Sequence, residues 1–209
     1  MVRALLFDID GTLVDSSAVV ERTWRQVASE FDTDPAPILR NCHGRRDIEV
    51  VQEFFPPEAR QRVLARISEL EAKALDGIVA IRGAAQLLAA LNDLQWAAVT
   101  SGPRALMQAR LQAAGLPVPG VLIAAEDVRR GKPDPEGFLL AATALEVPAE
   151  SCVVIEDSPA GVAAGKAAGA VVIGITTTHA AEALPTADRI VTDLFEAAHA
   201  IYGDLAGNR

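Results

Sequence analysis

Short apolar runs alternate with helix-like segments along most of the chain. Between them, three predicted helices cover about residues 103–114, 135–145 and 159–169, where apolar residues recur at helical spacing. Continuous apolar strands that alternate with helices predict an α/β fold, a doubly wound parallel sheet with helices on both faces. The predicted strands are Val2–Phe7, Trp96–Thr100, Val121–Ala124, Cys152–Ile155, Val171–Ile175 and Arg189–Val191.

Residues 16–81 interrupt this alternation, because only helical spacing is found there. We therefore predict a core domain formed by residues 1–15 and 82–209, and a small all-helical cap domain formed by residues 16–81. The cap is expected to cover one edge of the sheet and to move about hinges near residues 15–17 and 81–83. The predicted cap helices are Ala18–Phe31, Pro37–Asn41, Asp47–Phe54 and Pro57–Leu75.

Composition and charge exclude several classes of partner. Half of the 209 residues are apolar and 22% are charged, which is typical of a soluble globular protein. Aromatic residues make up only 4% and the net charge is −9, so we expect no nucleic-acid partner. We also expect no membrane partner, because no stretch approaches the roughly 18 to 20 apolar residues of a membrane span.

 The first apolar run is too short for a signal peptide and is followed by acidic residues. Cys42 and Cys152 form no CxxC pair, so they are expected to be reduced thiols. A disulfide bond between them is the alternative. These features predict a cytoplasmic protein, and we expect a monomer.

Polar residues follow the predicted strands at the points where they end. Asp8 and Asp10 follow the first strand, and Glu156 and Asp157 follow the strand at residues 152–155. Because the carboxyl ends of parallel strands share one edge of the sheet, these carboxylates are expected to lie together. Crowded carboxylates repel one another unless a cation lies between them, and Mg²⁺ prefers oxygen ligands. Together with Lys132 and nearby hydroxyl groups, the set predicts phosphoryl transfer.

Four motifs resemble those of phosphatases in the haloacid dehalogenase superfamily, in the same order and spacing. They are DIDGT at 8–12, VTSG at 99–102, GKPDP at 131–135 and IEDSPAGVAAGKAAG at 155–169. The placement of the helical insertion also resembles the C1-type cap of that family. Within the superfamily, the chain is most similar to sugar-phosphate and glycerol-phosphate phosphatases, with β-phosphoglucomutase a close cousin.

The resemblance implies roles for the acidic residues. Asp8 would be the nucleophile that forms an aspartyl phosphate, and Asp10 would protonate the leaving alcohol and then activate water. A magnesium ion would be held by Asp8, the Asp10 backbone carbonyl group and Asp157. Glu156 would lie close to the metal, either as a further ligand or as a residue that orients Lys132 or a metal-bound water.

The resemblance also implies residues that bind the substrate. Thr100, the Ser101 amide and Lys132 would bind the phosphoryl oxygens. The cap loop at residues 41–47 resembles the loop that closes over the substrate in the related phosphatases. Its His43, Arg45 and Arg46 could bind a polyol or a second anionic group, or they could simply form a solvated basic loop.

The implied activity is hydrolysis of a small phosphorylated metabolite by a magnesium-dependent phosphatase. Candidate substrates are hexose, pentose and polyol phosphates, glycerol phosphate and phosphoglycolate. A phosphosugar mutase of the β-phosphoglucomutase type is the first alternative, but Val20 stands where those mutases carry a histidine. A non-catalytic phosphate-binding regulatory protein is the second alternative.

Overall fold

The computed structural model describes residues 2–91 and 94–207, with side chains described up to residue 203. The remaining positions of the predicted core domain, residues 1, 92–93 and 208–209, lie outside the described residues. The strands are β1 (Ala4–Phe7), β2 (Val14–Asp15), β3 (Val79–Ala80), β4 (Gln95–Val99), β5 (Val121–Ile123), β6 (Cys152–Glu156), β7 (Val171–Ile175) and β8 (Arg189–Val191). The α-helices are α1 (Ser17–Glu30), α2 (Pro35–Asn41), α3 (Asp47–Phe54), α4 (Arg60–Lys73), α5 (Ala84–Ala89), α6 (Arg104–Ala113), α7 (Glu136–Ala144), α8 (Pro159–Ala167) and α9 (Leu194–Gly207).

Six strands form one parallel sheet in the order β5-β4-β1-β6-β7-β8. Ala4 of β1 pairs with Gln95 of β4 on one side and with Cys152 of β6 on the other. The chain therefore extends the sheet first to one side of β1 and then to the other. This arrangement confirms the predicted doubly wound α/β fold. In such sheets, ligands bind at the carboxyl ends of the strands where the order changes direction, which here is the end of β1.

Strand β1 is buried on both faces of the sheet. Leu5 and Phe7 pack in the apolar cluster that contains residues of α5, α6 and α9, whereas Ala4 and Leu6 pack in the cluster that contains residues of α7 and α8. Alternate residues of a strand face opposite sides, so each cluster takes every second residue of β1. All four residues are 0% exposed. The residue that follows β1 is thus attached to a rigid part of the core.

The cap segment, residues 16–81, contains α1–α4 and has an apolar cluster of its own that includes Trp24, Ile38, Val50 and Ile67. The domain boundaries stay a prediction, which this separate cluster supports. Beside the boundaries, β2 and β3 pair in an antiparallel ladder that the sequence analysis did not predict. Two-residue strands are too short to show the alternation by which a strand is identified.

Both cysteines are buried free thiols, as the sequence analysis expected. Burial raises the pKa of Cys42 to about 12, so its thiol stays protonated at neutral pH. Among residues 2–91 and 94–207, no helix combines the length and the apolar character that crossing a membrane would require.

Candidate active site

Asp8, the residue after β1, lies in a buried ion-pair network. The Lys132 Nζ donates hydrogen bonds to Asp8 Oδ1 at 2.5 Å, to Glu156 Oε1 at 2.6 Å and to the Val99 carbonyl oxygen at 3.1 Å. Burial acts to lower the pKa of Lys132, but the charges of Asp8 and Glu156 outweigh it and raise that pKa. The ammonium group is therefore charged. Strands β1, β4 and β6 and the loop before α7 thus meet at one point, which brings together the predicted site residues Asp8, Lys132 and Glu156.

Negative charge exceeds positive charge in this network. Burial raises the pKa of Asp8 well above its usual value; Lys132 offsets part of this effect, and Glu156 and Asp157 add to it. Burial, followed by the neighbouring Glu156, likewise raises the pKa of Asp157 to about 7. Carboxylate oxygens of Asp8, Glu156 and Asp157 all lie within 4.8 Å of one another. Such a set of buried oxygen donors suits a hard divalent cation such as Mg²⁺.

The carboxylate of Glu156 is fully engaged with protein donors. Its Oε1 accepts from Lys132, and its Oε2 accepts from the backbone N–H groups of Asp157 and Ser158 and from the Ser158 hydroxyl, each at 2.9 Å. Gly161 in α8 lies against the same carboxylate, because a Cβ atom there would be only 1.7 Å from Glu156 Oε1. These contacts favour the interpretation that Glu156 orients Lys132 and the loop that carries Asp157.

Asp157 is held by hydroxyl groups from two loops. Thr12 Oγ1 donates to its Oδ1 at 3.2 Å, and Thr178 Oγ1 donates to its Oδ2. Gly11 has a left-handed φ of +86°, and a Cβ atom there would lie 2.2 Å from Asp157 Oδ2. Glycine is thus required both for the turn after β1 and for the close approach of Asp157.

Thr178 and His179 contact Asp157, although the sequence analysis did not include them among the site residues. The His179 Nδ1 lies 2.9 Å from Thr178 Oγ1 and 3.2 Å from the Asp157 carbonyl oxygen. The stretch follows β7 at the same edge of the sheet. Asp8 was predicted because it follows a strand of the parallel sheet. The same reasoning, applied to the strand at residues 171–175, would have indicated Thr178.

Asp10 lies at the boundary between the core and the cap segment, with its side chain 27% exposed. Its Oδ1 accepts a hydrogen bond from Ser16 Oγ at 2.7 Å, and its Oδ2 accepts one from Arg110 Nη1 at 2.6 Å. Arg110 Nη2 also donates to Glu71 Oε1 of α4 at 3.0 Å. Neither Arg110 nor Glu71 was predicted from the sequence, since both lie inside helices and outside every motif.

The other two predicted phosphate-binding residues lie at the end of β4. Thr100 Oγ1 accepts from the Gly102 backbone N–H at 3.1 Å, which fixes the turn. The Ser101 hydroxyl donates to the carbonyl oxygen of Gly44 in the cap loop at 2.8 Å. The Ser101 side chain thus links the core to the cap segment.

A cavity of about 60 Å³ lies between this edge of the sheet and the cap segment. Asp8, Asp10, Thr100 and Ser101 line it from the core. The cap segment contributes residues that include Val20, Trp24, His43, Arg45, Asp47 and Glu71. The shape places the predicted nucleophile and acid–base residue at the wall of a small enclosed space.

The three predicted specificity residues of the cap loop have different surroundings. His43 lines the cavity, and its ring lies perpendicular to that of His179 with centroids 6.0 Å apart. Burial, followed by the charge of His179, lowers the pKa of His43, so its ring is neutral at pH 7. Arg45 also lines the cavity but pairs with Glu53 at 2.8 Å.

Arg46 contacts the core outside the cavity lining. Its guanidinium donates to the carbonyl oxygens of Val128 at 3.3 Å and Arg129 at 3.2 Å, and it pairs with Glu49. The Gly131 backbone N–H donates to the same Glu49 at 3.3 Å. The loop therefore places Arg46 at a contact between the cap segment and the core.

Comparisons with known proteins agree with this architecture. The model of the haloacid dehalogenase-like hydrolases matches residues 2–169. Over 178 residues the chain is 42% identical to hexitol phosphatase A of Escherichia coli, which covers 83% of this chain and 82% of that enzyme. It is also 36% identical to glycerol-1-phosphate phosphohydrolase 2 of Saccharomyces cerevisiae, over 85% of this chain and 76% of that enzyme.

A solved structure, that of β-phosphoglucomutase from Clostridium difficile, superposes with a TM-score of 0.84. The alignment covers 97% of this chain and 99% of the mutase at 21% identity, so it shows a shared fold alone. The fold and the site define a hydrolase of the α/β type with a helical insertion. The chain belongs to the haloacid dehalogenase-like hydrolase family, which confirms the predicted resemblance.

Proposed function

We propose that this protein is a magnesium-dependent phosphatase that hydrolyses a small phosphorylated polyol or sugar through a phosphorylated Asp8. Its family and its named phosphatase relatives make it a phosphoric monoester hydrolase that acts on small phosphorylated metabolites. The observation that carries the finer proposal is the position of Asp8, buried at the end of the central strand. There it contacts Lys132, clusters with Asp157 and precedes Asp10 by two residues.

The proposed reaction has two steps. In the first, an Asp8 carboxylate oxygen attacks phosphorus, the bond from phosphorus to the leaving oxygen breaks, and Asp10 gives that oxygen a proton. In the second, Asp10 takes a proton from water, whose oxygen attacks the same phosphorus and releases inorganic phosphate and the Asp8 carboxylate. Lys132, Thr100 and the Ser101 amide bind the phosphoryl oxygens, over which the charge of the transition state spreads.

The metal site of this proposal is the set of oxygens at the same edge. Asp8, Asp157 and the Asp10 backbone carbonyl would hold the ion, while Glu156 would orient Lys132, since both of its oxygens already accept protein hydrogen bonds. When bound, Mg²⁺ reduces the repulsion between an anionic nucleophile and an anionic phosphate. The raised pKa values of Asp8 and Asp157 support a cation there, because burial and then the neighbouring carboxylates disfavour the charged forms, and a bound cation would favour them.

The charges around the cavity support a neutral, polyhydroxylated leaving group. Arg45 is paired with Glu53, and Arg110 is paired with both Asp10 and Glu71. Among the described residues that line the cavity, these are the arginines, and neither is available for a second phosphate or a carboxylate. Hydroxyl groups could instead bind to the neutral His43 ring and to the carboxyl oxygens of the cavity. The relatives named for hexitol and glycerol phosphates agree with this inference.

The mutase alternative is disfavoured by the same surroundings. Val20, which stands where the related mutases carry a histidine, lines the cavity and cannot transfer a proton. A phosphosugar mutase must also hold an intermediate with two phosphate groups. The paired arginines offer no counter-charge for the second one. The domain boundaries, a monomeric state and a cytoplasmic location remain predictions.

A panel of phosphate esters tests the proposal. Initial rates of phosphate release would be measured with sorbitol 6-phosphate, glycerol phosphate, glucose 6-phosphate, phosphoglycolate and 6-phosphogluconate, each with Mg²⁺ and with EDTA. We expect activity only with Mg²⁺, and a kcat/KM about tenfold or more higher for neutral leaving groups than for the two acids. Absence of phosphate release from every ester would favour the regulatory alternative. Conversion of a hexose 1-phosphate into its 6-phosphate would favour the mutase.

A further inference from the structure

Arg110 links the proposed acid–base residue to the cap segment. It lies in α6 of the core, is 2% exposed, and donates one terminal nitrogen to Asp10 and the other to Glu71. Glu71 belongs to α4 and is itself 8% exposed. One guanidinium group therefore holds two carboxylates, one from the active site and one from the cap segment.

Stability alone does not account for this arrangement. Burying an ion pair costs desolvation free energy, and well-packed apolar side chains of similar volume are often as stable or more stable. The Arg110 Nε is also buried without a hydrogen-bond partner among the described residues. Leaving a buried donor without a partner costs free energy. Local arrangements that are unfavourable in this way are expected at functional sites.

The contacts fix the orientation of the Asp10 carboxyl group. One oxygen accepts from Ser16 and the other from Arg110, so rotation of the carboxyl group would break both hydrogen bonds. A general acid–base residue must be held within hydrogen-bond reach of the oxygen that it protonates. Arg110 itself receives its second anchor from Glu71, which is available only when α4 lies against α6.

We propose that Arg110 is a positioning residue that orients Asp10 for proton transfer, and that Glu71 makes this orientation depend on the seated cap segment. This inference rests on the proposed function, because it assumes that Asp10 protonates the leaving group. Its consequence is specific. Loss of Arg110 should slow the first step, transfer of the phosphoryl group to Asp8, for esters whose leaving group needs a proton, and should spare that step for esters whose leaving group departs without one.

The test compares two esters in the full-length protein with Mg²⁺. Glycerol phosphate releases an alkoxide that needs protonation, whereas para-nitrophenyl phosphate releases a stable phenolate. In Arg110→Lys, which keeps the charge but loses the planar fork, we expect kcat/KM for glycerol phosphate to fall about 10- to 100-fold. We expect kcat/KM for the aryl ester to stay within about threefold, because this ratio covers only the steps up to departure of the leaving group and not the later attack of water. Glu71→Gln should show the same selectivity with a smaller loss.

Three further variants make the result interpretable. Asp10→Asn supplies the reference for losing the acid, and the double variant Arg110→Met/Glu71→Leu replaces the ion pair by apolar side chains in case Arg110→Lys does not fold. Arg66→Gln is the control, because it removes an ion pair with Glu30 in the cap segment that does not involve Asp10. It should leave the ratio of kcat/KM for glycerol phosphate to kcat/KM for para-nitrophenyl phosphate unchanged. Thermal melts would show which variants are folded.

The outcomes separate the two proposals. Equal losses of kcat/KM on both esters, or wild-type kcat/KM in a folded Arg110 variant, would overturn the positioning role. If Asp10→Asn shows the selective loss and the Arg110 variants do not, only this inference fails. If Asp10→Asn hydrolyses both esters like the wild type, the acid–base role in the proposed function fails as well.

Discussion

The edge of the core sheet and the cap loop line the same cavity, but they hold their charged residues in different ways. In the core, Lys132 contacts two carboxylates and a carbonyl oxygen within one buried network. In the cap loop, Arg45 pairs within the cap segment and Arg46 contacts the backbone of the core. The charged core residues thus contact one another at the end of β1, whereas the guanidinium groups of Arg45 and Arg46 contact other parts of the protein.

This difference reflects what fixes each region. The core side chains follow parallel strands whose register is set by the buried sheet, so their positions persist whether or not the cap is seated. The cap loop is held by contacts such as the Ser101 hydroxyl to the Gly44 carbonyl oxygen and the Arg46 guanidinium to Val128. If the proposed function is correct, we expect the core to fix the reacting groups and the position of the cap segment to determine substrate selection.

The largest expected effect comes from the proposed nucleophile. Asp8→Asn should lower kcat at least about 10⁴-fold, because an amide does not attack phosphorus. Phosphate release measures the loss, and mass spectrometry of acid-quenched wild-type protein should locate a phosphoryl group on Asp8. The matched control is Asp134→Asn in the GKPDP motif. Its carboxylate accepts from the Glu136 backbone N–H at 3.0 Å, outside the Asp8 network, so kcat should stay within about threefold.

A phosphoryl group on another side chain, or substantial turnover by Asp8→Asn, would contradict the proposal that the core residues around Asp8 carry out the reaction. The core network would then be a structural feature and the cap segment would have to supply the chemistry.

A smaller effect is expected from Gly161→Ala, which tests how rigid the core network is. The new methyl group would lie 1.7 Å from Glu156 Oε1, so Glu156 and the Lys132 ammonium must shift. A displacement of about 1 Å can lower kcat about 100-fold. The overpacking should reduce the free energy of unfolding by about 1–3 kcal/mol, measured by urea titration.

The control for this substitution is Gly203→Ala in α9, where a Cβ atom would meet nothing within 4 Å. It should leave kcat unchanged and raise the free energy of unfolding by no more than about 1 kcal/mol, because alanine favours helices. Wild-type kcat in a folded Gly161→Ala protein would show that the network adjusts more easily than the packing indicates.

The core could be predicted from the sequence because its signals are local. Apolar runs located the strands, and the residues that follow them, such as Asp8, Thr100 and Glu156, meet at one edge by the topology of a parallel sheet. Lys132 was found through its motif. The sequence pattern could not show which hydrogen-bond donors each of these side chains binds. The four hydrogen bonds to Glu156 emerge only from the packed loop.

Two of the residues that were missed, Arg110 and Glu71, depend on contacts between helices. Arg110 and Glu71 are polar residues on amphipathic helices, where the ordinary expectation is a solvated face. Their burial follows from the packing of α4 against the core, which no local pattern records. The cap loop shows the same limit, because the sequence identifies cations at Arg45 and Arg46 but not the direction in which each side chain points.

The smallest expected effect therefore concerns these two arginines. Arg46→Gln removes hydrogen bonds to the Val128 and Arg129 carbonyl oxygens, worth about 1 kcal/mol together at this partly exposed site, so kcat/KM should fall about fivefold. Arg45→Gln should change kcat/KM by less than about twofold, because its partly exposed pair with Glu53 contributes little. The measurement is steady-state kinetics on the best ester of the panel. If Arg45→Gln instead raised KM tenfold while Arg46→Gln had no effect, the Arg45 guanidinium would leave Glu53 for the substrate in the reacting complex. The cap loop would then resemble the core edge in directing its charge at the substrate.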